Sequence, residues 1–167
     1  MIKLIALDVD GTLTDGKIYT DDKDNNLKAF NVKDGFAIAQ WIKEGGMVAI
    51  ITGKTSNIVQ RRADELGIQE VVQGVANKVP ELQKLIKKLG ITLEEVAYMG
   101  DDINDLGIMR ISGISAAPRN AALEVLERVS FIATKDGGDG AVREFIEFLM
   151  KKNGSWERVI NRYLNQK

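Results

Sequence analysis

Two aspartates separated by one residue stand directly after the first apolar segment of the chain, in the sequence DVDGT at positions 8–12. A carboxylate at such a position can attack phosphorus and form an aspartyl-phosphate. A second carboxylate can protonate the leaving oxygen and later take a proton from the hydrolytic water. Gly11 permits the chain to turn, so Asp8 and Asp10 need not share the face that alternate residues of a strand share. The pattern favours phosphoryl chemistry over the plain alternative, an acidic turn.

Two later segments carry groups suited to binding phosphate. Thr52 and Gly53 directly follow the apolar segment 47–51, where a hydroxyl and a glycine amide can hold phosphate oxygens. Lys78 stands near the start of a predicted helix, and its ammonium can offset the charge of a phosphate beside Asp8. Each signal is weak alone, because Thr-Gly pairs also form turns and most lysines are solvated.

A second acidic cluster occupies positions 100–105, with the sequence GDDIND. Either Asp101 or Asp102 can complete a site of oxygen ligands with Asp8. The two acidic clusters would repel each other without a cation, which favours a bound metal. Since the chain has no cysteine and no histidine, the ligands must be oxygens, which favours magnesium or manganese.

The composition excludes several other classes of protein. Without cysteine or histidine, the chain cannot carry disulfides, thiolate zinc sites, a cysteine nucleophile or a Ser-His-Asp triad. The formal net charge of −1 gives no indication of a nucleic-acid groove or an anionic membrane surface. The first apolar segment is too short for a signal peptide, and no segment approaches the length of a membrane span. We therefore expect a cytoplasmic protein that binds neither nucleic acid nor membrane.

Short apolar segments alternate with amphipathic ones along the chain, which predicts βαβ units and a mostly parallel sheet. Its ligands are expected at the carboxyl ends of the strands. Strands are predicted over 3–7, 47–51, 71–72, 96–99, 114–117 and 131–133. Helices are predicted over 35–44, 57–66, 80–89, 104–111, 121–128 and 141–151.

Two segments depart from this alternation. Residues 17–31 are typical of a hairpin, with strands over 17–19 and 27–30 around a polar turn. After residue 153 the apolar positions recur with a helical period. We predict a core over residues 1–152 and a C-terminal amphipathic helix or tail over residues 153–167, packed either on its own domain or on a partner subunit.

In their order along the chain, these motifs resemble those of the haloacid dehalogenase-like (HAD) phosphohydrolase superfamily. The resemblance spans most of the chain and implies a Rossmann-like three-layer α/β sandwich around a parallel sheet. It implies Asp8 as the nucleophile, Asp10 as the general acid and base, and a Mg²⁺-dependent phosphatase. It further implies phosphate binding by Thr52, Gly53 and Lys78, and Mg²⁺ held by Asp8, the Asp10 carbonyl and Asp101, with Asp102 and Asp105 in support.

The spacing of the motifs leaves no room for a separate cap domain. Asp8 and Thr52 are 44 positions apart, and Thr52 and Lys78 are 26 apart. The predicted elements use those intervals, so the site of an isolated protomer would be open to water. Segments 27–35, 73–78 and 137–144 are similar to those of the capless sugar-acid phosphatases. That resemblance implies a homotetramer in which the hairpin of one subunit caps the site of its neighbour.

The same resemblance implies a phosphorylated sugar acid as the substrate, most closely 3-deoxy-D-manno-octulosonate 8-phosphate, and a role in lipopolysaccharide biosynthesis. Candidate substrate contacts are Lys33, Asp34, Lys54 and Arg61. Lys54 stands where that family is expected to have arginine, and it lacks the bidentate fork of a guanidinium. Alternatives are another sugar acid such as an acylneuraminate 9-phosphate, a promiscuous phosphatase of small metabolites, and a non-catalytic regulatory module of the same fold.

Overall fold

A six-stranded parallel sheet forms the centre of the computed structural model, which describes residues 1–166. Its strands lie in the order β5-β4-β1-β6-β7-β8. A separate antiparallel hairpin pairs β2 with β3. The strands are β1 (Leu4–Leu7), β2 (Tyr19–Thr20), β3 (Asn26–Leu27), β4 (Met47–Ile51), β5 (Glu70–Val72), β6 (Val96–Met99), β7 (Ile114–Ala117) and β8 (Phe131–Ile132).

Over residues 1–166, seven α-helices cover the two faces of the sheet. They are α1 (Val32–Lys43), α2 (Asn57–Leu66), α3 (Lys78–Leu89), α4 (Leu106–Ile111), α5 (Leu123–Leu126), α6 (Ala141–Lys152) and α7 (Ser155–Leu164). Short 3₁₀ turns occupy Leu93–Glu95 and Ile103–Asp105. In the described chain no helix is both long enough and apolar enough to pass through a bilayer.

Alternating side chains of the central strand divide the core between two layers. Ile5 and Leu7 of β1 pack in the cluster formed with α1, α2, α6 and α7. Leu4 and Ala6 pack in the cluster formed with α3, α4 and α5. This follows from the two-residue period of a strand that is buried on both faces. The predicted three-layer α/β sandwich is confirmed.

Local capping accounts for the helix boundaries. Helix α2 has exactly the predicted bounds, since Ser56 caps its first turn and Gly67 ends it in the left-handed conformation. The predicted starts at Gly35 and Pro80 are wrong. The side chain of Asn31 accepts a hydrogen bond from the backbone of Lys33 and starts α1 three residues earlier. Asn77 caps α3 in the same way.

The hairpin after β1 is shorter than predicted. Tyr19 pairs with Leu27 and Thr20 with Asn26, so the predicted strands over 17–19 and 27–30 are wrong in their bounds. The Asp21 carboxylate accepts hydrogen bonds from the backbone of Lys23 and Asn25. These bonds stabilise the polar turn, and the two paired positions lie directly beside it.

Helix α7 packs on α1 and α6 of its own chain. Trp156 and Val159 are buried. Arg158 and Arg162 both form ion pairs with Glu44 at the end of α1. Two residues of the apolar stripe read from the sequence thus face the core of this chain, whereas Ile160, Tyr163 and Leu164 are exposed.

Candidate active site

The predicted catalytic segments meet at one edge of the sheet. Asp8 follows β1, Thr52 follows β4 and Asp101 lies just beyond β6, and these three strands are neighbours with β1 in the middle. After β1 the chain first forms β4 on one side of β1 and later forms β6 on its other side. Such a switch point opens a crevice at the carboxyl ends of the strands, where ligands bind in open α/β sheets.

A glycine turn brings the two acidic clusters into contact. Gly11 has a φ of +90°, and an added Cβ there would lie 2.0 Å from Oδ2 of Asp101. A larger residue would therefore be strained in the turn and would displace the Asp101 carboxylate. The backbone amides of Thr12, Leu13 and Thr14 all donate to the Val9 carbonyl and close the turn.

Lys78 lies at the centre of a buried ionic network. Its Nζ is 2.8 Å from Asp8 Oδ1, 2.7 Å from Asp105 Oδ1 and 3.1 Å from the Tyr98 hydroxyl. Burial lowers the pKa of Lys78, but the charges of Asp8 and Asp105 outweigh burial and leave that pKa raised. Lys78 therefore holds a permanent positive charge beside the Asp8 carboxylate.

Asp105 holds the acidic loop in place. Its Oδ1 accepts from Lys78 and, at 2.6 Å, from the Tyr98 hydroxyl. Its Oδ2 accepts from the backbone amide of Asp101 at 3.0 Å and from that of Asp102 at 3.4 Å. Burial, followed by the charge of Asp105, raises the pKa of Tyr98 well above its usual value, so the hydroxyl keeps its proton and donates it.

Three carboxylates come close enough to share one cation. Ligand oxygens of Asp8, Asp101 and Asp105 lie within 4.8 Å of one another. Burial, followed by the charges of neighbouring aspartates, raises the pKa of Asp101 to about 8. Burial and the charge of Asp105 raise the pKa of Asp8 to about 6, although Lys78 opposes them. This excess of negative charge and the all-oxygen donor set fit a hard divalent cation such as Mg²⁺.

Asp102 is placed differently from the other aspartates of its motif. It is exposed, and its Oδ1 accepts from the backbone amide of Ile103 at 2.7 Å. It therefore caps the 3₁₀ turn Ile103–Asp105 and lies outside the three-carboxylate cluster.

Thr52 is buried at the end of β4 and fixed through its backbone. Its N–H donates to Val72 at 2.9 Å, and its carbonyl accepts from Val75 at 3.3 Å. Gly53 follows it and is exposed at the same edge of the sheet. The pair therefore presents a hydroxyl and an amide on a rigid support.

A family model described as haloacid dehalogenase-like hydrolase matches residues 66–146. The chain is 41% identical over 158 residues to the 3-deoxy-D-manno-octulosonate 8-phosphate phosphatase KdsC of Escherichia coli K12, covering 95% of this chain and 84% of that protein. The chain belongs to the haloacid dehalogenase-like hydrolases. The related enzyme of Yersinia pestis is 38% identical over 149 residues, which cover 89% of this chain and 80% of that one.

Solved structures of this hydrolase family share the fold. That of 3-deoxy-D-manno-octulosonate 8-phosphate phosphatase from Moraxella catarrhalis, in complex with magnesium, phosphate and KDO, has a TM-score of 0.95 at 41% identity and covers 97% of this chain and 93% of that one. The cobalt-bound enzyme of Haemophilus influenzae has a TM-score of 0.88 at 35% identity, covering 92% and 90%. The predictions of the HAD family, of its fold and of a phosphatase enzyme are confirmed.

In this HAD hydrolase, a cleft of about 320 Å³ opens between the hairpin and the loop after β4. Asp10 and Lys54 both line it, together with Lys17 and Lys28 of the hairpin segment. Arg61 lines a neighbouring cleft of about 640 Å³ beside α2. Of the four predicted substrate contacts, the structure therefore brings Lys54 to the cleft of Asp10 and places Arg61 beside it.

The other two predicted substrate contacts lie outside both clefts. Lys33 is exposed in the first turn of α1. Asp34 is only 1% exposed, and its Oδ1 accepts from the backbone amide of Arg143 at 2.8 Å. Since Gly140 offers no capping side chain to α6, Asp34 caps that helix from α1. Burial raises the pKa of Asp34 to about 6.

Sequence reasoning missed two side chains of the site. Tyr98 is a strand residue of the continuous apolar segment 96–99, which indicated only a core position. Lys28 forms an ion pair with Asp10 from the far side of the hairpin. No local spacing links Lys28 to Asp10, and only the expectation that the hairpin folds back over the turn could have suggested it.

Proposed function

We propose that this chain is a Mg²⁺-dependent phosphomonoesterase that hydrolyses 3-deoxy-D-manno-octulosonate 8-phosphate to KDO and phosphate. The observation that carries the proposal is the buried network in which Lys78 joins Asp8 to Asp105 directly beside Asp101. The substrate comes from the relatives, since two enzymes of that name are about 40% identical to this chain over most of its length.

Asp8 is the proposed nucleophile. Its carboxylate attacks phosphorus, the bond from phosphorus to the leaving oxygen breaks, and an aspartyl-phosphate forms. Lys78 and the Thr52 hydroxyl, with the Gly53 amide, hold the phosphate oxygens as charge moves onto them. Lys78 serves this role without further reorganisation, because its ammonium is already fixed beside Asp8 at 2.8 Å.

Asp10 is the proposed general acid and base. It gives a proton to the leaving oxygen in the first step, and it takes a proton from the attacking water in the second. Asp10 lines the cleft between the hairpin and the loop after β4, which supports that cleft as the place of the leaving group. Lys54 and Lys17 line the same cleft and offer positive charge to the carboxylate of a sugar acid.

Asp8, the Asp10 carbonyl and Asp101 are the proposed Mg²⁺ ligands. Asp105 supports them from behind, because both of its oxygens already accept hydrogen bonds from Lys78, Tyr98 and the loop. When bound, Mg²⁺ neutralises the carboxylate cluster and stabilises charge on the transferring phosphoryl group.

We further propose the homotetramer predicted from the sequence, in which the hairpin of one subunit covers the site of the next. The exposed side chains of Ile18 and Leu27 support it, at 74% and 70% accessibility beside the open cleft. A cytoplasmic location stays a prediction. Light scattering coupled to size-exclusion chromatography measures the assembly, and a monomer at assay concentration would contradict the tetramer.

Phosphate release from the sugar-acid phosphate, with Mg²⁺ and with EDTA, tests the function. The substrate panel includes an acylneuraminate 9-phosphate, common sugar phosphates and nucleotides. We expect an EDTA-sensitive preference for the eight-carbon substrate, and loss of turnover in Asp8→Asn. Glu157→Gln, which removes an exposed carboxylate on α7 outside both clefts, is the matched control and should keep wild-type activity.

Two outcomes separate the alternatives. Equal turnover across the panel would keep the aspartate mechanism and remove the substrate assignment. Unchanged turnover in Asp8→Asn, or no turnover of any phosphate by folded protein with metal, would overturn the proposed enzyme and favour a regulatory module.

A further inference from the structure

Lys28 is the first residue beyond β3 and the point at which the hairpin touches the site. Residues 16–27 are all exposed, whereas the Lys28 side chain is only 17% exposed. Its ammonium contacts Oδ1 of Asp10 across the cleft. Within residues 1–166, Lys28 is the one cation that forms an ion pair with Asp10, because Lys78 pairs with Asp8 and Asp105 instead.

This contact distinguishes the two oxygens of the Asp10 carboxyl group. The ammonium of lysine has only donors, so the oxygen it contacts must act as an acceptor. With Oδ1 engaged by Lys28, a proton carried by Asp10 lies on Oδ2. The ion pair also restricts rotation of the Asp10 side chain, which stands directly before the Gly11 turn. Proton transfer requires the carboxyl oxygen to be within hydrogen-bond reach of the leaving oxygen.

We propose that Lys28 is the positioning residue for Asp10: it holds Oδ1 and thereby presents Oδ2 as the oxygen that exchanges the proton. In the first step the proton moves from Oδ2 to the leaving oxygen as that oxygen separates from phosphorus. In the second step Oδ2 takes a proton from water as the water oxygen bonds to phosphorus, the bond from phosphorus to Asp8 breaks, and phosphate leaves. Lys28 keeps all of its protons throughout. The inference rests on the proposed phosphatase function and assigns the hairpin a part in proton transfer.

A comparison of leaving groups tests this role. The sugar oxygen must take up a proton as it leaves phosphorus, whereas p-nitrophenolate leaves from its phosphate ester without one. We expect Lys28→Met to lower the single-turnover rate of KDO release from the sugar-acid phosphate by about 10²-fold, the lower end of a general-acid contribution. On p-nitrophenyl phosphate we expect less than about a threefold change in the rate of the first-turnover burst of p-nitrophenolate, because that step needs no acid and precedes the step in which Asp10 acts as the base.

Two variants complete the experiment. Lys87→Met is the matched control, since Lys87 is an exposed lysine of α3 that lines neither cleft and forms no ion pair with Asp10 in the described chain. It should leave the ratio of the two activities at the wild-type value. Lys28→Arg retains a donor-only cation and should recover part of the loss. Thermal unfolding of each variant verifies that it is folded.

The outcomes separate this inference from the function on which it rests. An equal fall in the first-turnover rate on both substrates would overturn the inference, because it would indicate a role in phosphate binding or in folding. No fall on either substrate would overturn it as well. A wild-type protein inactive on both substrates would overturn the proposed function, and the positioning role with it.

Discussion

Lowering the pH from 8 to 6 should weaken Mg²⁺ binding to this protein by about two orders of magnitude. A carboxyl group must lose its proton before it can bind a metal. In the metal-free protein, burial and neighbouring aspartates raise the pKa of Asp101 to about 8 and that of Asp8 to about 6. At pH 6 about one Asp101 in a hundred is ionised, and at pH 8 about half are.

The magnitude follows from these fractions. The change in ionised Asp101 alone alters the apparent affinity by about 50-fold, and Asp8 adds about a factor of two. Together they correspond to about 2.7 kcal/mol of binding free energy. At pH 7 each Mg²⁺ that binds should release about one proton, nearly all of it from Asp101.

Isothermal titration calorimetry at pH 6, 7 and 8 measures both quantities. Titrations in two buffers with different heats of protonation give the number of protons released. Asp101→Asn should bind Mg²⁺ weakly and abolish most of the proton release. Asp102→Asn is the matched control, because Asp102 lies outside the cluster and should leave most of the pH dependence intact. An affinity that is constant from pH 6 to 8, with no proton release, would refute the reasoning.

The same carboxyl groups determine the stability of the metal-free protein. Their pKa values are raised in the folded state above the ordinary value of 3.8. Between pH 4 and pH 8 the folded state therefore binds more protons than the unfolded state, and its stability falls as the pH rises through that window. Saturating Mg²⁺ should restore the free energy of unfolding at pH 8, as measured by urea denaturation with and without EDTA.

Three further substitutions test contacts away from the metal ligands. Asp34→Asn mimics the protonated acid. Because burial raises the pKa of Asp34 to about 6, the free energy of unfolding of the variant should rise relative to that of wild type as the pH increases from 4 to 7. The difference measured by urea unfolding should reach up to about 3 kcal/mol. A variant that becomes less stable than wild type over this pH range would contradict this. Tyr98→Phe removes a hydroxyl that bonds two charged groups of the buried network, and it should lower the free energy of unfolding by about 1–3 kcal/mol; no change would show that the network reorganises freely. Gly137→Ala places a Cβ 1.8 Å from the Gly11 carbonyl and should lower both the melting temperature and kcat, whereas Gly107→Ala, whose Cβ meets only a methyl group at 3.3 Å, should lower neither.

Local signals were sufficient for much of the fold. The strands Met47–Ile51 and Val96–Met99 and the helix Asn57–Leu66 match the predicted bounds exactly. Each is delimited by its own residues: apolar segments with polar ends, or a serine cap followed by a terminal glycine. The meeting of Asp8, Thr52 and Asp101 also followed from the sequence, because the carboxyl ends of parallel strands share one edge of a sheet.

Contacts between distant segments were decided only by the tertiary structure. Lys28 and Asp10 are 18 positions apart with a hairpin between them, and Asp34 caps α6 through the backbone amide of Arg143, which lies 109 positions later. Tyr98 looks like any core residue of a strand until its hydroxyl meets Lys78 and Asp105. Residue types and spacing were sufficient to predict the proposed chemistry, since the proposed reacting groups lie at the ends of strands. The residues that orient those groups were visible only in the folded chain. The direction of a side chain depends on how distant elements pack together, and no local sequence pattern encodes that packing.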